Sequence, residues 1–279
     1  MRDPAAKYAG NTAAGGHRPA LRSARAGRMP RDVKPLENPP AGLRGQGRGP
    51  YRSGHSTVVC SFGSHVSAAV HTQCRGAARA PQPEGSTMAE VLVFHHGHGL
   101  TAGIREFAEH LRQAGHTVHL PDLYEGLVFD NLEEGMAYAE NAGFDTITAR
   151  GTAAAEELPA ELVYIGFSLG VLPAQKLAQT RPGARGALLF EACVPASEFG
   201  GAWPQDVPVQ IHGMDADPFF AGEDDVDAAR AIVRTAADAE LFLYPGDRHL
   251  FTDSSLPSHE EQATRQVNLR VLGFLDRVK

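Results

Sequence analysis

With 279 residues and 33 acidic against 26 basic side chains, the chain carries a formal charge of −7, and 42% of its residues are hydrophobic. That length and composition suit a folded core, while no run of 18 or more apolar residues offers a membrane-spanning helix. The charge is unevenly held: residues 1–87 contain 11 Arg and 2 Lys against Asp3, Asp32, Glu37 and Glu84, which leaves 13 basic and 29 acidic groups in residues 88–279. An acidic body of this kind argues against nucleic acid or an anionic membrane as its partner.

Residues 1–87 are rich in Gly, Pro, Ser and Ala and show no periodic apolar segment, so they are expected to form a disordered basic extension. Three origins compete. An arm that touches nucleic acid would be expected to interleave aromatic residues, and this segment does not. A transit peptide would carry less Gly and Pro. Translation from a start upstream of the true one is preferred, because Met88 leads directly into Ala89-Glu90-Val91-Leu92-Val93-Phe94. The folded domain is therefore expected over 88–279. Cys60 and Cys74 fall in the extension and leave Cys193 alone in the body. A single thiol builds no disulfide framework, and no signal peptide is evident, which points to the cytoplasm.

In chain order, 91–94 reads as a buried strand followed by the turn His95-His96-Gly97-His98-Gly99-Leu100-Thr101. Thr101 is placed to cap a helix with Ile104, Phe107, Ala108 and Leu111 on its apolar face, ended by Gly115. A strand at 117–120 stops at Pro121, and helices are expected at 131–142 and 144–157. The run 163–165 leads into Gly166-Phe167-Ser168-Leu169-Gly170, and 173–178 continues as a helix. Strands follow at 187–191, 207–212 and 240–244, with helices at 224–237 and 259–278. Strands alternating with helices at this spacing predict an α/β fold, a mainly parallel twisted sheet with helices on both faces.

Chemistry in such sheets collects at the carboxyl ends of the strands. Gly-x-Ser-x-Gly between a strand and a helix is the setting of a nucleophile elbow, with the Ser168 hydroxyl lifted above the sheet into solvent beside a helix N-terminus. Asp215 and Asp217 follow the strand at 207–212, and His249 follows that at 240–244. The order Ser, Asp, His is that of an α/β-hydrolase triad. Ser168, Asp217 and His249 are therefore the expected catalytic residues, with Asp215 the less favoured acid. An oxyanion hole is expected from the backbone N–H of Leu169 and from either Gly97 or His98. Two competing readings of the 95–103 turn carry less weight. Three neighbouring histidines suggest a metal, but no carboxylate or Cys pattern accompanies them. Gly97-x-Gly99-x-x-x-Gly103 with Asp122 beyond it imitates a dinucleotide fingerprint, with its third glycine one residue late.

Taken together, Phe94-His95-His96-Gly97-His98-Gly99-Leu100-Thr101, Leu120-Pro121-Asp122-Leu123-Tyr124, the elbow pentapeptide, Asp217-Pro218-Phe219 and His249-Leu250-Phe251 resemble the dienelactone hydrolase family of α/β-hydrolases. The resemblance implies a monomeric, cofactor-free hydrolase that opens small esters or lactones by a Cys/Ser-His-Asp triad. It covers nearly all of 88–279. Two departures stand out. The type enzymes carry Cys at the elbow where this chain has Ser168, and they hold a substrate carboxylate with Arg residues, one shortly after the catalytic His, where this chain has Asp253. Both departures favour a neutral or cationic ester, lactone or thioester over dienelactone itself. The alternative from another class is an α/β-hydrolase-fold binding or regulatory protein that turns nothing over.

Overall fold

The computed structural model describes residues 88–222 and 224–279, so the expected extension, its boundary at 88 and Cys60 and Cys74 lie outside the described residues. Six strands form one sheet: β1 (Glu90–Phe94), β2 (Thr117–His119), β3 (Val163–Phe167), β4 (Gly186–Phe190), β5 (Val209–Met214) and β6 (Ala239–Tyr244). Their order is β2-β1-β3-β4-β5-β6, and every neighbouring pair is parallel. Six helices connect or follow them: α1 (Ala102–Gln113), α2 (Leu132–Ala142), α3 (Phe144–Ala153), α4 (Val171–Thr180), α5 (Asp225–Thr235) and α6 (Glu261–Val278). This is the α/β arrangement expected from the sequence. Among the described residues, no helix is long and apolar enough to cross a membrane.

Alternate strand residues serve opposite faces, which explains why the strands read as continuous apolar runs. Leu92, Tyr164, Ala187, Leu189, Val209 and Ile211 join the core under α3, α4 and α5. Val91, Val93, Ile165, Phe167, Leu188 and Phe190 join the core under α1 and α6. Helix α1 begins as its sequence predicts: Thr101 is extended (φ −69°, ψ 171°), and its hydroxyl accepts from the Ile104 N–H.

The boundaries differ from expectation where single residues break the pattern. The strand expected at 187–191 ends at Phe190, because Glu191 turns to φ +62° and leaves the ladder. The strand expected from 207 begins at Val209, since Pro208 has no N–H to donate. The helix expected over 144–157 is complete by Ala153.

The strand order reverses between β1 and β3. In a parallel sheet this opens a crevice beyond the carboxyl ends of the two strands, bounded by the segments that follow them. Those segments are the histidine turn after β1 and the elbow after β3.

Candidate active site

Ser168 follows β3 with φ +46°, a left-handed conformation that L side chains rarely adopt. The turn is tight enough to demand glycine on both sides. A Cβ on Gly166 would collide with the Gly170 carbonyl and come within 2.7 Å of the Val171 Cα. A Cβ on Gly170 would collide with the Phe94 carbonyl and lie 2.6 Å from that of His95. A 3-10 turn, Ser168–Gly170, then feeds α4, so Ser168 sits at the positive end of a helical segment. The expectation that its hydroxyl projects into solvent is corrected: Ser168 is 3% exposed and faces the loop after β6.

That loop carries His249. The Ser168 Oγ lies 3.0 Å from His249 Nε2, and His249 Nδ1 lies 2.7 Å from Asp217 Oδ2. The buried carboxylate of Asp217 can only accept when ionised, so Nδ1 carries the hydrogen and Nε2 is left to accept from the serine. The other carboxylate oxygen accepts from the Phe219 N–H at 2.9 Å, which fixes the rotamer. Asp215 is engaged elsewhere, accepting from the Gly246 N–H at 3.0 Å and tying the loops after β5 and β6 together. The Phe219 ring packs at 4.8 Å from that of His249 and remains 47% exposed, giving the site an apolar rim.

The histidine turn is a network of directed hydrogen bonds. His95 donates from Nδ1 to the His96 carbonyl (2.9 Å) and accepts at Nε2 from the Leu123 N–H (2.9 Å). His96 donates from Nε2 to Asp253 Oδ2 (2.8 Å) and accepts at Nδ1 from the His98 N–H (3.2 Å). His98 donates from Nδ1 to the Phe129 carbonyl at 2.9 Å. Both nitrogens of His95 and of His96 are thus engaged within the fold, and among the described residues no group of His, Cys, Asp and Glu is arranged to hold a metal ion. The dinucleotide imitation, already disfavoured by its late third glycine, has no room for a ligand either. The N-terminus of α1, where a pyrophosphate would rest, is filled by Asp253 and Ser255: the Gly103 N–H donates to Ser255 Oγ at 3.1 Å, and a Cβ on Gly103 would overlap Asp253.

The same bonds bear on the expected oxyanion donors. The His98 N–H is directed at the His96 ring, which removes it from the crevice and leaves Gly97 as the candidate from this turn, opposite Leu169. Gly97 is itself closely covered, since a Cβ there would meet Met136 Sδ at 2.7 Å and Leu132 Cδ1 at 2.8 Å, both from α2.

Two carboxyl groups beside these residues have partners that the sequence did not announce. Asp253 accepts from His96, from the Thr101 hydroxyl (2.5 Å), and from the Ser255 N–H (2.8 Å) and hydroxyl (2.6 Å). Burial alone would raise its pKa, but the bonds and charge interaction it receives, above all from His96, outweigh burial and hold it well below the usual carboxylate range. Burial lowers His96 to about 4, against the raising effect of Asp253. Glu191, at the carboxyl end of β4, accepts from the Thr252 N–H (3.3 Å) and hydroxyl (3.1 Å) through Oε1, while its buried Oε2 finds no hydrogen-bond partner among the described residues. Burial pushes its carboxyl up to about 8, with the nearby Asp217 and Asp253 adding to the rise and Thr252 opposing it. A charged residue ending an apolar strand was the available signal for Glu191.

The family model for dienelactone hydrolase matches residues 77–279. The chain belongs to the dienelactone hydrolase family. Among curated proteins, the pimeloyl-(acyl-carrier protein) methyl ester esterase of Cronobacter sakazakii is 28% identical over 123 residues, which spans 44% of this chain and 44% of that relative. Among solved structures, a dienelactone hydrolase-like promiscuous phosphotriesterase from metagenomic libraries matches with a TM-score of 0.54 at 19% identity, covering 70% of this chain and 89% of its own. A dienelactone hydrolase from Anabaena variabilis matches with a TM-score of 0.50 at 18% identity, covering 70% and 88%. At these identities the two structures share the fold of the family with this chain.

Proposed function

We propose that this dienelactone hydrolase family member is a serine hydrolase of small neutral esters, lactones or thioesters, acting through Ser168, His249 and Asp217. The observation that carries the reading is the unbroken relay from Ser168 Oγ through His249 to Asp217, at 3.0 Å and 2.7 Å. In the proposed reaction the His249 Nε2 takes the hydroxyl proton as Ser168 Oγ bonds to the substrate carbonyl carbon. The carbonyl π pair moves onto oxygen, and the N–H groups of Leu169 and Gly97 receive the resulting oxyanion. Collapse re-forms the carbonyl and breaks the bond to the leaving alkoxide or thiolate, which takes the proton from His249. Water then repeats the sequence on the acyl-serine, releasing the acid and restoring the hydroxyl. Asp217 holds the imidazole in the needed tautomer and stabilises its protonated form.

Substrate charge follows from what surrounds the site. Shortly after His249, where the resemblance would lead one to expect a carboxylate-binding Arg, the chain has Asp253, buried and engaged in four hydrogen bonds. Phe219 adds an exposed apolar surface beside His249, and the body is strongly acidic. A neutral acyl group suits this setting and a carboxylate does not.

The test is labelling of the full chain with a fluorophosphonate probe. Stoichiometric modification at Ser168 is expected, absent in Ser168→Ala and slowed by orders of magnitude in His249→Ala. A folded protein that takes up no label refutes the hydrolase reading and favours a binding protein on the same fold.

A further inference from the structure

The turn after β1 is held by a second, fully buried His–Asp pair that the proposed reaction does not use. His96 and Asp253 are 0% and 1% exposed and lie 157 residues apart in sequence. A neutral imidazole has one donor and one acceptor, and here both are engaged: Nε2–H on Asp253 and Nδ1 on the His98 N–H. The ring therefore links a residue four positions beyond His249 to the peptide that follows Gly97. Asp253 is fixed in turn by Thr101, the N-cap of α1, and by Ser255.

The effect on the turn can be followed peptide by peptide. In the peptide joining residues 97 and 98, the N–H points at the His96 ring, and the Gly97 carbonyl lies against α2, where a Cβ on Gly135 would overlap it. In the preceding peptide, the His96 carbonyl accepts from the Gly99 N–H (2.9 Å) and from His95 Nδ1 (2.9 Å). A trans peptide directs its N–H opposite to its carbonyl. The Gly97 N–H is thereby turned away from the two donors that hold the His96 carbonyl, and it engages no acceptor among the described residues.

We propose that His96 and Asp253 are positioning residues that preorganise the Gly97 N–H as an oxyanion donor, coupling its placement to the loop that carries His249. The inference rests on the reading of Ser168 as the nucleophile. Oxyanion donors act in the transition state, so a misdirected Gly97 N–H lowers kcat and leaves KM unchanged.

Two substitutions at one position separate the two bonds. His96→Gln keeps an N–H at the reach of Nε2 for Asp253 and removes the acceptor for the His98 N–H. His96→Asn keeps an acceptor at the position of Nδ1 and gives up Asp253. Turnover of a p-nitrophenyl ester by the full chain is measured with thermal unfolding alongside. His96→Gln is expected to lose roughly 100-fold in kcat with KM within about threefold of wild type, the scale of losing one oxyanion donor. His96→Asn is expected to recover about tenfold of that loss even if it melts lower. Wild-type kcat in a folded His96→Gln protein overturns the inference, and so do losses in both variants that track only their melting temperatures. Should His96→Gln not fold, Asp253→Asn, which keeps the shape and an acceptor for His96, is expected to lower kcat about tenfold at unchanged KM, and unchanged kcat there overturns it. A wild-type protein with neither turnover nor phosphonate labelling overturns the hydrolase reading and this inference together, whereas an active wild type isolates the inference.

Discussion

Glu191 makes the stability of this fold depend on pH in a direction opposite to that of most carboxylates. It is 1% exposed, it occupies the left-handed region at φ +62°, and its Oε2 has no hydrogen-bond partner among the described residues. Burial carries its carboxyl from an ordinary 4.5 to about 8. An acid raised in the folded state keeps a proton that the unfolded chain has already released. Between pH 4.5 and about 8, unfolding therefore releases a proton, stability falls as pH rises, and the loss is complete above about 8. At about 1.4 kcal/mol per tenfold change in proton affinity, the ceiling on this effect is about 5 kcal/mol. Even half of that is a large part of the 5–15 kcal/mol that holds a typical domain folded. Glu191→Gln preserves the shape and an acceptor for Thr252 and abolishes the titration. Urea unfolding of wild type and variant at pH 5 and pH 9 isolates the contribution, since all other groups cancel in the comparison. The variant is expected to gain about 2–4 kcal/mol on wild type between the two pH values. Parallel losses in the two proteins would show that Glu191 does not hold its proton in the native state, and the argument from burial would fail.

Two further outcomes follow from the geometry. Asp217→Asn is expected to cut ester turnover by about 10⁴-fold, because the amide favours the wrong His249 tautomer, while Asp215→Asn stays within a few-fold of wild type. Steady-state kinetics of both variants checks the assignment, and the reverse order would move the acid to Asp215. Gly170→Ala is expected to destabilise by about 3 kcal/mol, read by urea unfolding, since its Cβ would meet two backbone carbonyls that cannot yield separately from β1.

The fold was largely legible because its signals are local. Strands buried on both faces read as unbroken apolar runs at 91–94 and 163–165, and Thr101 announced the start of α1 by its own hydroxyl. The Ser, Asp and His positions were legible because a parallel sheet places the ends of successive strands on one edge. What escaped depends on contacts between distant segments. The choice between Gly97 and His98 turns on the direction of one peptide plane, and the His98 N–H in that plane points at a ring bonded to a residue 157 positions away. Asp253 was noticed for the Arg it replaces, since nothing near it in sequence announces a partner in the first turn of the domain. Glu191 was absorbed into the strand it ends, because its positive φ is imposed by surroundings that an isolated segment does not possess.

The contacts of Asp253 and Glu191 converge with that of Asp217 on one segment. Residues 249–255 are gripped from three directions: His249 by Asp217 after β5, Thr252 by Glu191 after β4, and Asp253 by His96 after β1. Each grip joins the loop to a different strand end, so the sheet fixes the loop as a rigid body rather than at a single point. The proposed base and the turn that presents the proposed oxyanion donor are then set by the same frame, and neither can drift without straining the other. Such a frame needs three acids beside one another in a poorly solvated place, and electrostatics makes that arrangement costly if all are ionised. Asp253 has a histidine to receive, whereas Glu191 has only a hydroxyl and an N–H to set against its burial, which is why the Glu191 carboxyl is pushed upward while that of Asp253 is held low.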